Sequence, residues 1–277
     1  MALLFVDVSS TKGRLTTIVL AIVVIMALIA VPVVFLFGRT GGESELDAGG
    51  GEGGSVVKLF DSAAPMGPDT GVFDDYAMGS QVSFYRLSDG HRTGTATERF
   101  ARPALSLSKL YIADYVLERG SLAEQYEAIE MISSSDDRSA DDLYEKYPTS
   151  ITAVARKYGL TSTRADEQWG YSVTSTYDVV SFIAQLMQKN PTHPILVAMA
   201  EASPVAADGY GQDFGTSTLP GVIGTKWGWS DAGDLHSSVS FGENFIVAAA
   251  VTGTSNDLTD LVEFQLSDEI NEAARVR

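Results

Sequence analysis

The sequence contains no cysteine. That excludes disulfides, cysteine-ligated zinc, iron–sulfur clusters, a thiol nucleophile and a lipid carried on cysteine. It has only three histidines, His91, His193 and His236. A histidine-rich metal site has little to draw on, and neither a metal nor a cofactor is expected. Positive charge is also scarce. Lys and Arg total 19 against 36 Asp and Glu, a net charge of −17. A nucleic-acid partner calls for a basic footprint, and this chain has the reverse. What is present is apolar material, 45% of the residues, which argues against a disordered chain. The 277 residues suffice for one medium-sized domain, or two small ones, with a sizeable core.

The apolar material is unevenly spread. Leu15–Phe37 is a run of 23 residues without a charge. At about 1.5 Å per residue a helix of that length crosses a hydrocarbon core of about 30 Å. A cleaved signal peptide has an apolar stretch of about 7–15 residues followed by a small-x-small site. Here the run is longer and ends Val33-Val34-Phe35-Leu36-Phe37, which reads as an uncleaved signal-anchor. Lys12 and Arg14 precede it and Arg39 follows, so the N-terminus is expected in the cytoplasm and the remainder outside. The expected organisation is a cytoplasmic tail (1–14), a transmembrane span (15–37), an acidic Gly-rich tether (38–54) and one extracytoplasmic domain (55–277). Residues 38–277 hold 17 basic and 35 acidic side chains, a net −18.

Within the exported part, Ser80–Leu87 reads as a strand, with a Ser88-Asp89-Gly90 turn leading to a partner at 91–94. Helical spacing follows over Ala104–Glu118, 121–132, Asp136–Tyr147, Ile151–Tyr158, Thr176–Gln188 and Pro194–Glu201. Gly221–Gly228, Leu235–Phe241 and Asn244–Thr252 read as three successive strands, and Leu258–Ala274 as a closing helix. Strands, then helices, then strands and a helix predict an α+β domain whose antiparallel sheet joins the two chain ends.

Three short motifs carry candidate chemistry. Ser106 and Lys109, in SLSK, stand one helical turn apart, where a desolvated lysine could take the serine's proton. Ser135-Asp136-Asp137 lies at a loop-to-helix junction, where Ser135 or Asp136 could equally be an N-cap. Lys226-Trp227-Gly228 falls on the first C-terminal strand, where the lysine could equally be an edge-strand residue beside a packed tryptophan.

In this order and on these elements, SLSK, SSDD and KWG resemble the S-x-x-K, S-D-N and K-T-G signatures of the penicillin-recognising serine enzymes. That superfamily includes class A β-lactamases and D-alanyl-D-alanine carboxypeptidases, and the resemblance spans about residues 55–277. It implies a β-lactamase/transpeptidase-like fold with an inserted helical lobe. It also implies Ser106 as nucleophile, Lys109 as base, Ser135 as proton relay and Lys226 as its partner and anchor for a substrate carboxylate. The oxyanion hole would be the amides of Ser106 and of Trp229 or Ser230. Asp137, Thr225 and Gly228 would line the substrate site.

The chain departs from the pattern in four places. Asp137 stands where the family has Asn, and an ionised carboxylate would hold Lys109 in its charged form. Trp227 replaces the K-T-G hydroxyl. Thr225, the nearest alternative, lies on the strand face opposite Lys226 by the period of two. Only 29 positions separate Ser106 from Ser135, so the helical lobe is expected to be trimmed, with a cleft wall missing or supplied by another segment. The omega-loop glutamate of hydrolytic β-lactamases has only Asp166 and Glu167 as candidates. The resemblance implies a membrane-anchored serine acyl enzyme acting on D-Ala-D-Ala-like cell-wall peptides or β-lactams. The alternative is a catalytically impaired binding module of the cell envelope.

Overall fold

A computed structural model of the chain describes residues 79–275. The expected tail, membrane span and tether, and positions 55–78 of the expected domain, lie outside the described residues. Among those described, no helix is long and apolar enough to cross a membrane.

Two strands open the fold, β1 (Gln81–Arg86) and β2 (Arg92–Gly94). Three more close it, β5 (Val222–Trp229), β6 (Leu235–Gly242) and β7 (Phe245–Thr252). They form one antiparallel sheet in the order β2-β1-β7-β6-β5. The chain ends meet where β1 pairs with β7, from Gln81 opposite Ala250 to Arg86 opposite Phe245. A separate two-stranded ribbon joins β3 (Arg102–Pro103) to β4 (Val173–Thr174).

The inserted helices are α1 (Ser108–Arg119), α2 (Leu122–Ser134), α3 (Asp137–Lys146), α4 (Ser150–Tyr158), α5 (Thr176–Lys189) and α6 (Pro194–Ala200). The last helix is α7 (Ser255–Arg275). Local chemistry sets their starts. Ser121 and Glu124 form a reciprocal capping box on α2, and the Asp136 and Ser175 side chains accept amides at the starts of α3 and α5. Of the two cap candidates before α3, Asp136 takes the role. Ser135 instead adopts a left-handed conformation, φ 55°, between α2 and α3.

Both faces of the central strand β7 are covered, which explains its unbroken apolar sequence. Ile246 and Ala248 pack with the helical lobe, among Leu110, Met131, Ile183 and their neighbours. Val247 and Ala249 face the opposite way, toward Leu258, Val262 and Leu266 of α7. The alternation follows from the two-residue period of a strand. Trp227 belongs to this second cluster, with its indole Nε1 donating to the Phe214 carbonyl at 2.9 Å.

One helix begins later than its apolar spacing predicts. The stretch from Ala104 opens with a 3₁₀ turn, Leu105–Leu107, and becomes α-helical only at Ser108. Leu105 has φ 53°, a conformation that a bulky side chain rarely adopts and that an α-helix does not contain. The strain falls on the residue immediately before Ser106.

Phe182 anchors the helical lobe, fully buried and edge-on to both Tyr111 and Tyr158. Phe182→Ala should cost about 3–5 kcal/mol of stability, read from the midpoint of urea unfolding.

Candidate active site

The fold brings three distant segments to one point. The 3₁₀ turn presents Ser106, the first turn of α1 presents Lys109, the α2–α3 junction presents Ser135 and Asp137, and the edge strand β5 presents Lys226. Lys109 Nζ lies 3.0 Å from Ser106 Oγ, 2.7 Å from the Ser135 carbonyl oxygen and 2.5 Å from Asp137 Oδ1. Lys226 Nζ donates to Ser135 Oγ at 2.6 Å and approaches the Trp227 carbonyl at 3.3 Å. The left-handed Ser135 makes this possible, because its carbonyl meets one lysine and its hydroxyl the other.

Both lysines are fully buried. Desolvation lowers the pKa of Lys109 below the ordinary 10.5, with Asp137 opposing the shift. The same effect lowers Lys226 well below that value, and the charge of Lys109 pushes in the same direction. Burial thus outweighs the upward pull that Asp137 was expected to exert on Lys109. The physical reason is exposure. The Asp137 side chain is 63% exposed, so water screens its charge, while the ammonium it faces has none of that solvation. The three contacts of Lys109 match the three N–H donors of an ammonium, and they also accommodate a neutral amine. Two N–H bonds can go to the Ser135 carbonyl and Asp137, leaving the lone pair for the Ser106 hydroxyl.

Gly228 completes the cradle. A β-carbon there would stand 2.8 Å from Leu105 Cβ and 3.0 Å from both the Ser106 nitrogen and Ser237 Oγ. Only a bare α-carbon lets the turn that carries Ser106 rest on the strand. The strand also sets which way the two candidate amides face. The Ser230 amide donates to the Leu235 carbonyl at 3.0 Å, so it faces inward. Amides alternate along an antiparallel ladder, which turns that of Trp229 toward the open edge of β5.

Thr225 is not brought to the cluster. Its hydroxyl lies 2.7 Å from Ser240 Oγ, in a buried network with Thr216 on the back of the sheet, so it cannot line the substrate site as expected. Trp227 faces the same way. Asp166 and Glu167 are both exposed. The omega-loop segment instead sets the Trp169 ring 4.8 Å from Lys109 Nζ, with its indole Nε1 bonded to Asp141 at 2.6 Å. Spacing gave no sign of this contact, since an aromatic ring does not fit the acid–base template being sought.

Residues 203–212 pack between the end of α2 and β5, as a segment supplying the expected wall would. The Ser203 and Ala207 amides donate to the Ser133 and Ser134 carbonyls at the end of α2. Tyr210 stacks on Trp229 with ring centres 4.7 Å apart, and its hydroxyl lies 2.7 Å from Nε2 of the buried His236. Among the described residues no group of three or more His, Asp or Glu side chains is placed to hold a metal ion.

Solved structures share this fold. The D-alanyl-D-alanine carboxypeptidase of Mycobacterium tuberculosis H37Rv superposes with a TM-score of 0.52 at 17% identity, covering 70% of this chain and 90% of that one. A β-lactamase from Burkholderia ambifaria gives 0.53 at 16% identity, covering 71% and 95%. The fold is that of the penicillin-recognising serine enzymes. In sequence, the chain is similar to "Putative lipoprotein LppW" of Mycobacterium tuberculosis, 29% identical over 193 residues. That alignment covers 63% of this chain and 58% of LppW, so the chain spans well under two thirds of the relative's length. No family model matches the chain.

Within the penicillin-recognising fold, Lys226 is a buried charge whose removal separates stability from reactivity. Near neutral pH the unfolded chain protonates this lysine and the folded chain resists doing so, so burial costs stability there. That cost disappears as pH rises from the lowered folded pKa toward 10.5. Lys226→Met should therefore be no less stable than the wild type in urea at pH 7. The same variant should lose about 100-fold or more in the reaction of Ser106 with a fluorophosphonate.

Proposed function

We propose that the protein is a membrane-anchored, extracytoplasmic serine acyl enzyme, acting on D-Ala-D-Ala-like peptides of the cell wall or on β-lactams. The observation that carries this reading is the convergence of two buried lysines on one serine, Lys109 on the Ser135 carbonyl and 3.5 Å from its hydroxyl, Lys226 on that hydroxyl, with Lys109 also 3.0 Å from Ser106 Oγ. Lys109 takes the proton of Ser106 as Oγ bonds to the substrate carbonyl carbon. The Ser106 and Trp229 amides stabilise the resulting oxyanion. The scissile C–N bond then breaks as Ser135 gives its proton to the departing nitrogen, and the lysines restore it.

The second half-reaction is the weaker one. The ring of Trp169 lies against Lys109 where a water-activating carboxylate would be useful, and Asp166 and Glu167 point to solvent. The acyl-enzyme should therefore persist, which is behaviour of the penicillin-binding type more than of the hydrolytic β-lactamases.

Attachment to the membrane rests on the run 15–37, with the domain outside. The lipoprotein named among the relatives supports an envelope location. The present residues have no cysteine for a thioether lipid, so the apolar run is the anchor proposed here.

One observation favours the alternative of an impaired binding module. The 2.5 Å contact between Lys109 and Asp137 gives that lysine a competing partner. Labelling separates the two readings. A fluorophosphonate should modify the wild-type chain at Ser106, and Ser106→Ala should abolish the adduct in intact-mass spectra. An unlabelled wild type over a range of pH would leave the binding module as the surviving reading.

A further inference from the structure

A short hairpin ties two sides of the site together. Residues 204–212 fold back on themselves. Val205 bridges to Gly211, the Gln212 amide donates to the Pro204 carbonyl at 2.9 Å, and the Ala206 amide donates to the Tyr210 carbonyl at 2.8 Å. Gly209 closes the tip with φ 91°, the left-handed position of a three-residue hairpin loop. Consecutive residues at the tip reach opposite sides. The Ala207 amide donates to the Ser134 carbonyl at 2.8 Å, one residue before Ser135. Asp208 accepts the Trp229 indole N–H at 3.1 Å. A single peptide unit, about 3.8 Å between α-carbons, thus links the α2–α3 junction to the end of β5.

The hold on Trp229 is made by rings. Tyr210 stacks on it with centres 4.7 Å apart and planes 14° apart. Phe214 meets both rings edge-on. His236 stands directly opposite Trp229 on β6. The Gly253 carbonyl, 2.8 Å from His236 Nδ1, can only accept, so that nitrogen carries a proton. Nε2 is left to accept from the Tyr210 hydroxyl at 2.7 Å. Tyr210 is therefore fixed by a stack and a hydrogen bond at once. Trp229 is the last residue of β5, where a strand opens most readily, and its amide is the one turned to the open edge.

We propose that Tyr210 is a positioning residue for acyl transfer: its stacked ring holds the end of β5 so that the Trp229 amide meets the oxyanion, and the hairpin tip keeps that amide in register with Ser135. The proposal rests on the acyl-enzyme reading above and deepens it. Donors for an oxyanion act by being in place before the charge develops, so loosening one lowers rate more than binding. Tyr210 acts through Trp229 and is not itself a donor to the reacting carbonyl.

The test uses the full chain in neutral detergent, with p-nitrophenyl acetate and its thionoester analogue. The Ser106 Oγ–C bond forms, the ester C–O bond breaks, the serine proton passes to Lys109 and nitrophenolate departs. Nitrophenolate release gives the limiting acylation rate and the half-saturating concentration. Intact mass gives the adduct, with Ser106→Ala as the blank. Sulfur accepts hydrogen bonds more weakly than oxygen, so the oxo-to-thiono rate ratio reports the oxyanion donors. Tyr210→Ala should lower the limiting rate on the oxoester about tenfold or more, keep half-saturation within about twofold, and shrink the ratio about threefold or more. Tyr210→Phe keeps the stack and should recover most of the rate. Asp208→Ala, at an exposed position, should shrink the ratio in the same direction, and it carries the test if Tyr210→Ala does not fold.

An unchanged limiting rate in Tyr210→Ala would overturn the proposal. So would an equal loss on both esters, which a merely loosened fold would give, a Tyr210→Phe no faster than Tyr210→Ala, or a ratio unmoved in Asp208→Ala. If the wild type is not acylated by the oxoester while a fluorophosphonate still labels Ser106, the positioning proposal alone fails. If neither reagent reacts at Ser106, the acyl-enzyme reading beneath it fails as well.

Discussion

Two buried lysines share one serine, and the rest of the site depends on that arrangement. A lysine side chain leaves water at a high cost, and two together add mutual repulsion. The fold meets the cost with a small number of well-placed acceptors: Ser106 Oγ, the carbonyl and hydroxyl of Ser135, Asp137 and the Trp227 carbonyl. These acceptors come from three separate parts of the chain, around Ser106, Ser135 and Trp227. The antiparallel sheet, the helical lobe and the left-handed Ser135 hold these acceptors in one place.

The same constraint explains the strained and crowded spots. Leu105 takes a positive φ so that Ser106 can sit over Gly228, and Gly228 tolerates no side chain because Leu105 and the Ser106 nitrogen press on it. Strain beside Ser106 and close packing beneath it fix the hydroxyl where Lys109 can reach it. On the far side, the 203–212 segment packs against the end of α2 and against β5. It does so with backbone bonds to the end of α2 and a ring stacked on Trp229.

Much of this was legible in the sequence. The periodicity over Thr176–Gln188 and Gly221–Gly228 matches α5 and β5 within a residue, since long amphipathic and alternating patterns leave few alternatives. Motif order placed Ser106, Lys109, Ser135 and Lys226, and the two-residue strand period put Thr225 behind the sheet. The misses have physical causes. Apolar spacing cannot register a positive φ at Leu105, so the helix was expected to begin too early. A charge argument from sequence weighed Asp137 against Lys109 without knowing that one is exposed and the other dry. The packing of 203–212 and the ring of Trp169 are tertiary contacts between segments with no local signature.

The central claim is that burial, against the pull of Asp137, makes Lys109 a usable base. The most direct measurement is the pH dependence of Ser106 modification by an uncharged fluorophosphonate, in the wild type and in Asp137→Asn. The rate should rise with pH through a midpoint below 10.5, because the neutral amine is the reactive form and desolvation lowers its pKa. Removing the Asp137 charge should move that midpoint lower still. A midpoint at or above 10.5, or one that climbs when the charge is removed, would contradict the account.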